Sequence, residues 1–318
     1  MDREVRVAVV GVGRWGRNIV RAFKELEAEG LVRLEAVVDA ELVRAKLVAR
    51  EYGVPKYFMG VEGVVGSGCE AAAVAVPIDR LVEVSKSLAG MGVNVFVEKP
   101  VSMRPEEIVE LRDVALSAGV VVQPGFIVRF DPVSRGLKEL MPGVGRPKYV
   151  AFKRLSRRPK HMRRFPIVFD LMIHDIDLTQ YLLGRGEWVV RSINVIESES
   201  GVAQTLQVTS RYGDTFVDYI VDGNLPVKIR EVELIAGESF IKADYVGGSI
   251  AVKKPKGVRT LKASGEEPLK AELRAFIERV NGREVAEAPT LEDAYRVCKT
   301  ASEILSMEGT LKAGAGRR

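Results

Sequence analysis

Short, mostly apolar runs alternate with amphipathic stretches over the first 123 residues. Apolar runs of this kind, bounded by glycine or proline, are typical of strands buried on both faces. The predicted strands span residues 5–10, 32–38, 71–76, 93–97 and 120–123. Helical spacing predicts helices at 14–29, 41–52 and 105–118, and one that ends at Gly90–Gly92. Because strand alternates with helix throughout, we expect an α/β domain with a doubly wound parallel sheet.

The pattern changes after Pro124, where strand-like stretches follow one another with turn residues between them. They span residues 187–197, 204–212, 215–222, 227–236, 239–244 and 249–254, with predicted helices near 167–183, 267–281 and 291–307. This order predicts an α+β domain with a mostly antiparallel, open sheet flanked by helices. A length of 318 residues also favours two domains, which we place at 1–123 and 124–318.

Composition excludes several classes of protein. Positive and negative side chains nearly balance, at a formal charge of +5, and we find no apolar run long enough to span a membrane. The amino terminus lacks the pattern of a signal peptide, and Cys69 and Cys298 are too few for a disulfide framework, so we expect a cytoplasmic protein. Five Asn and four Gln among many charged residues resemble thermophile usage.

A glycine-rich turn lies between the first predicted strand and helix. It reads Gly11, Val12, Gly13, Arg14, Trp15 and Gly16. Gly11 allows the tight turn, Gly13 lets the backbone approach a pyrophosphate, and Gly16 lets helix pack on strand. Asp39 ends the second strand, where a carboxylate suits the ribose hydroxyls of NAD and repels the extra phosphate of NADP. The alternative is a glycine-rich turn with a capping aspartate.

Glu98, Lys99 and Pro100 follow the strand at 93–97. Ligands of such sheets bind beyond the carboxyl ends of the strands, where a lysine can orient a hydroxyl or stabilise an alkoxide. The alternative is a surface Glu–Lys pair before a proline.

Asp170 and His174 are four residues apart and share one face of a predicted helix. An imidazole beside a carboxylate suits a general base for an alcohol. The alternatives are an amphipathic helix with a satisfied histidine, and a metal site. We expect no metal, because no second histidine lies within reach.

Residues 153–164 contain seven Lys or Arg in twelve positions. Such a block can bind a polyanion or form a solvated loop. It lacks the interleaved aromatic residues of a single-strand binder and precedes the Asp170–His174 helix, so we expect no nucleic acid and predict a diphosphate-bearing substrate. The predicted ligands of the diphosphate are Arg129, Arg157, Arg163 and Arg164.

These motifs, in this order, resemble the glucose–fructose oxidoreductase / inositol dehydrogenase / MocA family. The likeness includes GVGRWG, AVP at 75–77, VEKP at 97–100, GFIVRFDP at 125–132 and DLMIHDIDL at 170–178. It implies hydride transfer between a sugar or polyol and NAD. The catalytic and substrate-contacting residues that it implies are Lys99, Asp170 and His174. Further cofactor-binding residues are Val76, Pro77, Leu81, Glu98 and Lys99.

Within the family the sequence looks closest to the UDP-N-acetylglucosamine 3-dehydrogenase-like branch, which oxidises nucleotide-linked amino sugars. The cues are Trp15, Gly16, Asn18 and the R-F-x-P stretch at 129–132. Leu81 and Phe126 depart from the histidine or tyrosine that relatives often have at those positions. Alternatives are a free-sugar or inositol dehydrogenase, an NAD-using glycosidase and a dinucleotide-sensing regulator. An open sheet favours a homodimer or homotetramer.

Overall fold

A computed structural model of the protein describes residues 3–315, with side chains described as far as residue 309. The chain forms two compact units. The first contains the residues up to Phe130 together with Glu266–Tyr295, and the second contains Asp131–Gly265 and the residues from Arg296 onward. Within the described residues, no helix is both long enough and apolar enough to cross a membrane.

The amino-terminal part of the first unit alternates strand and helix. Its elements are β1 (Val5–Val10), α1 (Arg14–Ala28), β2 (Val32–Val38), α2 (Leu42–Tyr52), β3 (Lys56–Phe58), α3 (Glu62–Gly66), β4 (Ala71–Val74), α4 (Ile78–Gly90), β5 (Asn94–Glu98), α5 (Pro105–Ala118) and β6 (Val122–Gly125). A short 3₁₀ turn, Ile127–Phe130, follows.

The remaining elements begin with α6 (Pro132–Val144), β7 (Tyr149–Leu155), a 3₁₀ turn (Lys160–Met162) and a π-helical turn (Val168–Met172). They continue with α7 (Ile173–Leu183), β8 (Trp188–Glu199), β9 (Val202–Tyr212), β10 (Thr215–Asp222), β11 (Ile229–Ala236), β12 (Ser239–Asp244), β13 (Ser249–Lys254), β14 (Gly257–Lys262), α8 (Pro268–Val280) and α9 (Leu291–Ala315).

The sheet of the first unit has the order β3-β2-β1-β4-β5-β6, and all its strands are parallel. This order reverses at β1, as it does in Rossmann folds, so the turns after β1 and β4 open at the switch point. Burial explains the apolar runs, because Val7 and Val9 of β1 and Ala73 of β4 are inaccessible to solvent. The predicted doubly wound parallel sheet is confirmed.

The sheet of the second unit has eight strands in the order β14-β13-β12-β11-β7-β10-β9-β8. Every pair is antiparallel except β7 and β10, which run parallel. The predicted mostly antiparallel sheet is therefore confirmed. On one face Phe152 stacks on Tyr219, with ring centroids 5.2 Å apart, and the Tyr219 hydroxyl lies 2.7 Å from Thr179 Oγ1 of α7. Helix α7 covers this face.

Helix α8 departs from the predicted domain boundary, which assigned residues 124–318 to a single second domain. Leu269, Leu273, Phe276 and Ile277 of α8 belong to the same apolar cluster as β1 and α1. The Phe276 ring lies 6.0 Å from that of Phe96 in β5. Because α8 buries this face in the first unit, the chain returns there after the second sheet is complete.

Candidate active site

The glycine-rich turn has the backbone geometry that each glycine was expected to provide. Gly11 has φ of +85°, and a Cβ there would lie 2.6 Å from the carbonyl oxygen of Ala75. A Cβ at Gly16 would lie 1.8 Å from the carbonyl oxygen of Gly11. Helix α1 can therefore pack this close to the turn only with glycine at position 16. A Cβ at Gly13 would meet no protein atom within 4 Å. The space in front of Gly13, at the start of α1, is therefore open, as the approach of a pyrophosphate to a helix N-terminus would require.

Asp39 is buried directly after β2 and ties together the loops around it. One carboxylate oxygen accepts the N–H of Val12 at 3.0 Å, and the other accepts the N–H of Glu41 at 2.9 Å. Arg44 Nη1 donates to the same carboxylate at 3.0 Å. The acid is thus held against the glycine-rich turn, the position from which an acidic residue in Rossmann folds contacts the adenosine ribose.

Glu98 and Lys99 lie at the carboxyl end of β5. The indole N–H of Trp15 donates to the Glu98 carboxylate, and the Lys99 backbone N–H donates to it at 3.2 Å. Burial raises the pKa of Glu98 to about 7, against these two hydrogen bonds and the positive charge of Lys99. The Trp15–Glu98 contact couples the glycine-rich turn to the strand that carries Lys99, and sequence reasoning missed it.

The other residues predicted in the first unit are placed as follows. Val76 is half-buried and Pro77 exposed in the turn after β4, whereas Leu81 is buried in α4. Arg129, predicted as a diphosphate ligand, is buried in the 3₁₀ turn. Its Nη1 lies 3.4 Å from Asp293 Oδ2, and its guanidinium lies 5.9 Å from the centre of the Phe126 ring.

In the second unit, Asp170 lies in the π-helical turn that precedes α7, and His174 lies in the first turn of α7. The N–H of Ile173 donates to the carbonyl of Val168, five residues earlier, so the predicted continuous α-helix at 167–183 begins with a wider turn. Such π turns are rare and occur often at functional sites. His174 is half-buried, and its Nδ1 is shielded from solvent.

The carboxylate of Asp170 is held by Arg158, a contact that the sequence did not predict. Arg158 is buried and its Nε donates to Asp170 Oδ2 at 2.8 Å. The same guanidinium donates to the carbonyls of Met162 and Phe165, at 2.6 and 2.7 Å. Arg158 therefore fixes both the aspartate and the chain that leads into the π-helical turn.

The basic segment 153–164 is not the continuous loop that its composition predicted. Residues 153–155 belong to β7, and Arg154 is buried against Asp175. Of the predicted diphosphate ligands here, Arg157 and Arg164 are exposed, and Arg163 Nη1 lies 2.8 Å from Glu199 Oε2.

The strand order and the glycine-rich turn give the first unit a Rossmann fold, the fold typical of dinucleotide-binding domains. Residues 5–126 match the sequence model of the GFO_IDH_MocA family, an oxidoreductase family with an NAD-binding Rossmann fold. This part of the chain is therefore similar to the NAD-binding part of that family, in line with the resemblance of the motifs.

Similar proteins include scyllo-inositol 2-dehydrogenase (NAD(+)) of Bacillus subtilis, which is 32% identical over 58% of this chain and 55% of its own length. UDP-N-acetylglucosamine 3-dehydrogenase of Acidithiobacillus ferrooxidans is 29% identical over 60% of this chain and 58% of its own length. The chain thus spans little more than half the length of the curated relatives it matches. A solved structure of the latter enzyme superposes with a TM-score of 0.87 at 22% identity, covering 95% of this chain and 97% of that one. The likeness of the solved structure shows a shared fold.

Proposed function

We propose that this protein is an NAD-dependent dehydrogenase that transfers a hydride between nicotinamide and a CH–OH carbon of a sugar or polyol. The observation that carries the proposal is the turn at residues 11–16, held against the buried carboxylate of Asp39, within the segment that matches an NAD-binding family. Gly13 and Gly16 provide the open approach and the close packing that a pyrophosphate site needs.

Three side chains are proposed to act on the substrate. Bound NAD supplies the hydride acceptor. His174 removes the proton of the substrate hydroxyl as the hydride leaves the same carbon. The Lys99 ammonium orients that hydroxyl and stabilises the developing alkoxide by its charge. Asp170, fixed by Arg158, favours the charged imidazolium that forms.

An activity screen tests the proposal. The purified chain is mixed with NAD and with inositols, free sugars or UDP-sugars, and NADH absorbance is followed. Turnover is expected with at least one substrate, and Lys99→Met should abolish it while calorimetry still detects NAD binding. That variant also excludes a contaminating dehydrogenase. Absence of both turnover and NAD binding in the native chain would reject the proposal.

A nucleotide-linked amino sugar is the proposed substrate. UDP-N-acetylglucosamine 3-dehydrogenase is similar in sequence and shares the fold of the whole chain, and Arg157 and Arg164 are exposed cations suited to a diphosphate. Inositol is the second candidate, because an inositol dehydrogenase is the relative with 32% identity. The same screen separates them, since a UDP-sugar enzyme should turn over inositol far more slowly.

Self-association is proposed through the outer face of the second sheet. Four neighbouring strands there align Phe216, Tyr149, Ile235 and Phe240 in one row. Phe216 is 54% exposed and Ile235 is 43% exposed. A row of aromatic and aliphatic side chains with two exposed members, across an open sheet, is suited to burial against a second copy, which supports a homodimer or homotetramer.

A further inference from the structure

Two arginines face each other on the covered face of the second sheet. Arg154 of β7 is directly opposite Arg230 of β11 in the antiparallel register. Arg230 alternates with Val232 and Leu234, which are buried on that same face. Like charges placed directly opposite each other destabilise a sheet, so this pair needs negative charge nearby.

Asp175 of α7 satisfies only one of the two arginines. Arg154 donates three hydrogen bonds to the Asp175 carboxylate, at distances between 2.6 and 3.0 Å. Arg230 has a buried Nε with no hydrogen-bond partner, and it forms no ion pair with any residue that the structure describes. A half-buried guanidinium without a hydrogen-bonded ion pair is unfavourable in a folded protein, because its desolvation is only partly compensated.

Lys228 adds a third cation two residues before Arg230. Burial lowers the pKa of Arg230 first and the charge of Arg154 lowers it further, while the charges of Asp175 and Asp131 oppose this. The charge of Arg230 in turn is the main cause that lowers the pKa of Lys228. The two carboxylates near these three cations therefore leave positive charge uncancelled.

We propose that Arg230 and Lys228 form a subsite that binds an anionic group of the substrate, either a phosphate or a carboxylate. The planar guanidinium of Arg230 can donate two parallel hydrogen bonds to either group. Asp175, which pairs with Arg154 beside the subsite, directly follows His174 in α7, so the subsite lies next to the helix that carries the proposed base. The proposal rests on the proposed function in that the anion belongs to the substrate.

The backbone around Arg230 is rigid enough to present such a site. Its carbonyl accepts the N–H of Tyr245 at 2.9 Å, and the Tyr245 hydroxyl lies 2.9 Å from Ser134 Oγ in α6. These contacts hold β11 to its neighbours without using the guanidinium.

Anion binding is measured first without turnover, as the rise in melting temperature with inorganic phosphate or with acetate at constant ionic strength. The native chain and the control Arg191→Gln, an exposed arginine of β8, should show the same rise. Arg230→Gln should lose it and should melt at a higher temperature without anion, because the repulsion from Arg154 is gone. Lys228→Gln, at an exposed position, should reduce the rise in melting temperature by at least half. An unchanged rise in Arg230→Gln, or no rise in the native chain, overturns the proposal.

Kinetics then identify the source of the anion. A UDP-sugar tests whether the subsite binds a phosphate of the substrate, and the matching uronate tests whether it binds a carboxylate. The neutral sugar is the reference. Arg230→Gln should raise KM for the anionic substrate roughly 10- to 100-fold, the usual value of a charged hydrogen bond, and leave the neutral sugar unaffected. If a neutral polyol is the best substrate and its KM is unchanged in Arg230→Gln, the subsite is rejected while the dehydrogenase proposal stands. If no substrate turns over, the melting experiment still decides the subsite.

Discussion

The two histidines of the chain differ in their surroundings, and this difference allows a matched test of the proposed base. His174 is half-buried at the start of α7, whereas His161 is exposed in a 3₁₀ turn. His174→Ala should lower kcat roughly 10²- to 10⁴-fold, the range of general acid–base catalysis, with NAD affinity unchanged. His161→Ala serves as the control and should keep native kcat. Native turnover in His174→Ala would assign proton removal to another group, with Lys99 the first to examine.

Glu98 predicts a dependence of stability on pH. Burial raises the pKa of its carboxyl to about 7, so the folded chain retains a proton there that the unfolded chain releases above roughly pH 4.3. This group therefore makes the protein less stable as pH rises through that window.

Glu98→Gln removes this titration and should melt progressively higher than the native chain as pH rises from 5 to 8, measured without NAD. Glu62→Gln, on the exposed surface of the same unit, should show no such trend. A melting difference for Glu98→Gln that is identical at pH 5 and pH 8 would contradict the assignment.

Asp39 is expected to set cofactor choice, because its carboxylate is buried at the ribose end of the glycine-rich turn and opposes a 2′-phosphate. Asp39→Ser should narrow the ratio of NAD to NADP affinity, measured by titration calorimetry, and leave Arg44 available to the phosphate. Glu41→Ser also removes an acid paired with Arg44 but retains the Asp39 carboxylate, so it should preserve the NAD preference. Tighter binding of NADP by the native chain would show that the assignment is wrong.

At the scale of elements, helix α8 allows buried packing to be compared with surface ion pairs. Phe276 is inaccessible to solvent in the core of the first unit, so Phe276→Ala should lower the free energy of unfolding by about 3–5 kcal/mol. Arg274 of the same helix pairs with Glu29 and Glu266 near the surface. Arg274→Ala should lower the free energy of unfolding by about 1 kcal/mol or less.

Urea unfolding followed by circular dichroism measures both changes. If the two units unfold in separate transitions, the comparison uses the transition that Phe276→Ala shifts. A similar loss in the two variants would mean that α8 is not held mainly by its apolar face.

At the scale of the whole molecule, the row of Phe216, Tyr149, Ile235 and Phe240 on the second sheet predicts that self-association depends on the apolar character of these side chains. Phe216→Arg should lower the mass measured by light scattering after size-exclusion chromatography, because a charge cannot be buried there unpaired. Val43→Arg, at an exposed position of α2, is the control and should leave the mass unchanged. A native chain that is monomeric at micromolar concentration would reject self-association through this face.

The local pattern of apolar and polar residues determined most of the strands and helices of the first unit. The period of apolar residues within each segment separated strand from helix, because burial on a parallel sheet requires an uninterrupted apolar run. The spacing of Gly11, Gly13 and Gly16 also predicted the backbone geometry of the turn, because each glycine is needed for a steric reason within one strand–turn–helix unit. The position of Glu98 and Lys99 at the carboxyl end of β5 followed from the same local reading.

Only the tertiary structure decided where the charged residues of the basic segment lie and which unit helix α8 joins. Lys153 and Arg154 read as part of a basic loop, yet they lie in β7 at the middle of the second sheet. That placement requires Asp175, twenty-one residues later, to compensate the buried Arg154. The same holds for α8, whose apolar face indicates a buried helix but not which core buries it. Side-chain periodicity reports that a face is covered, whereas the partner that covers it is chosen by long-range packing and charge compensation.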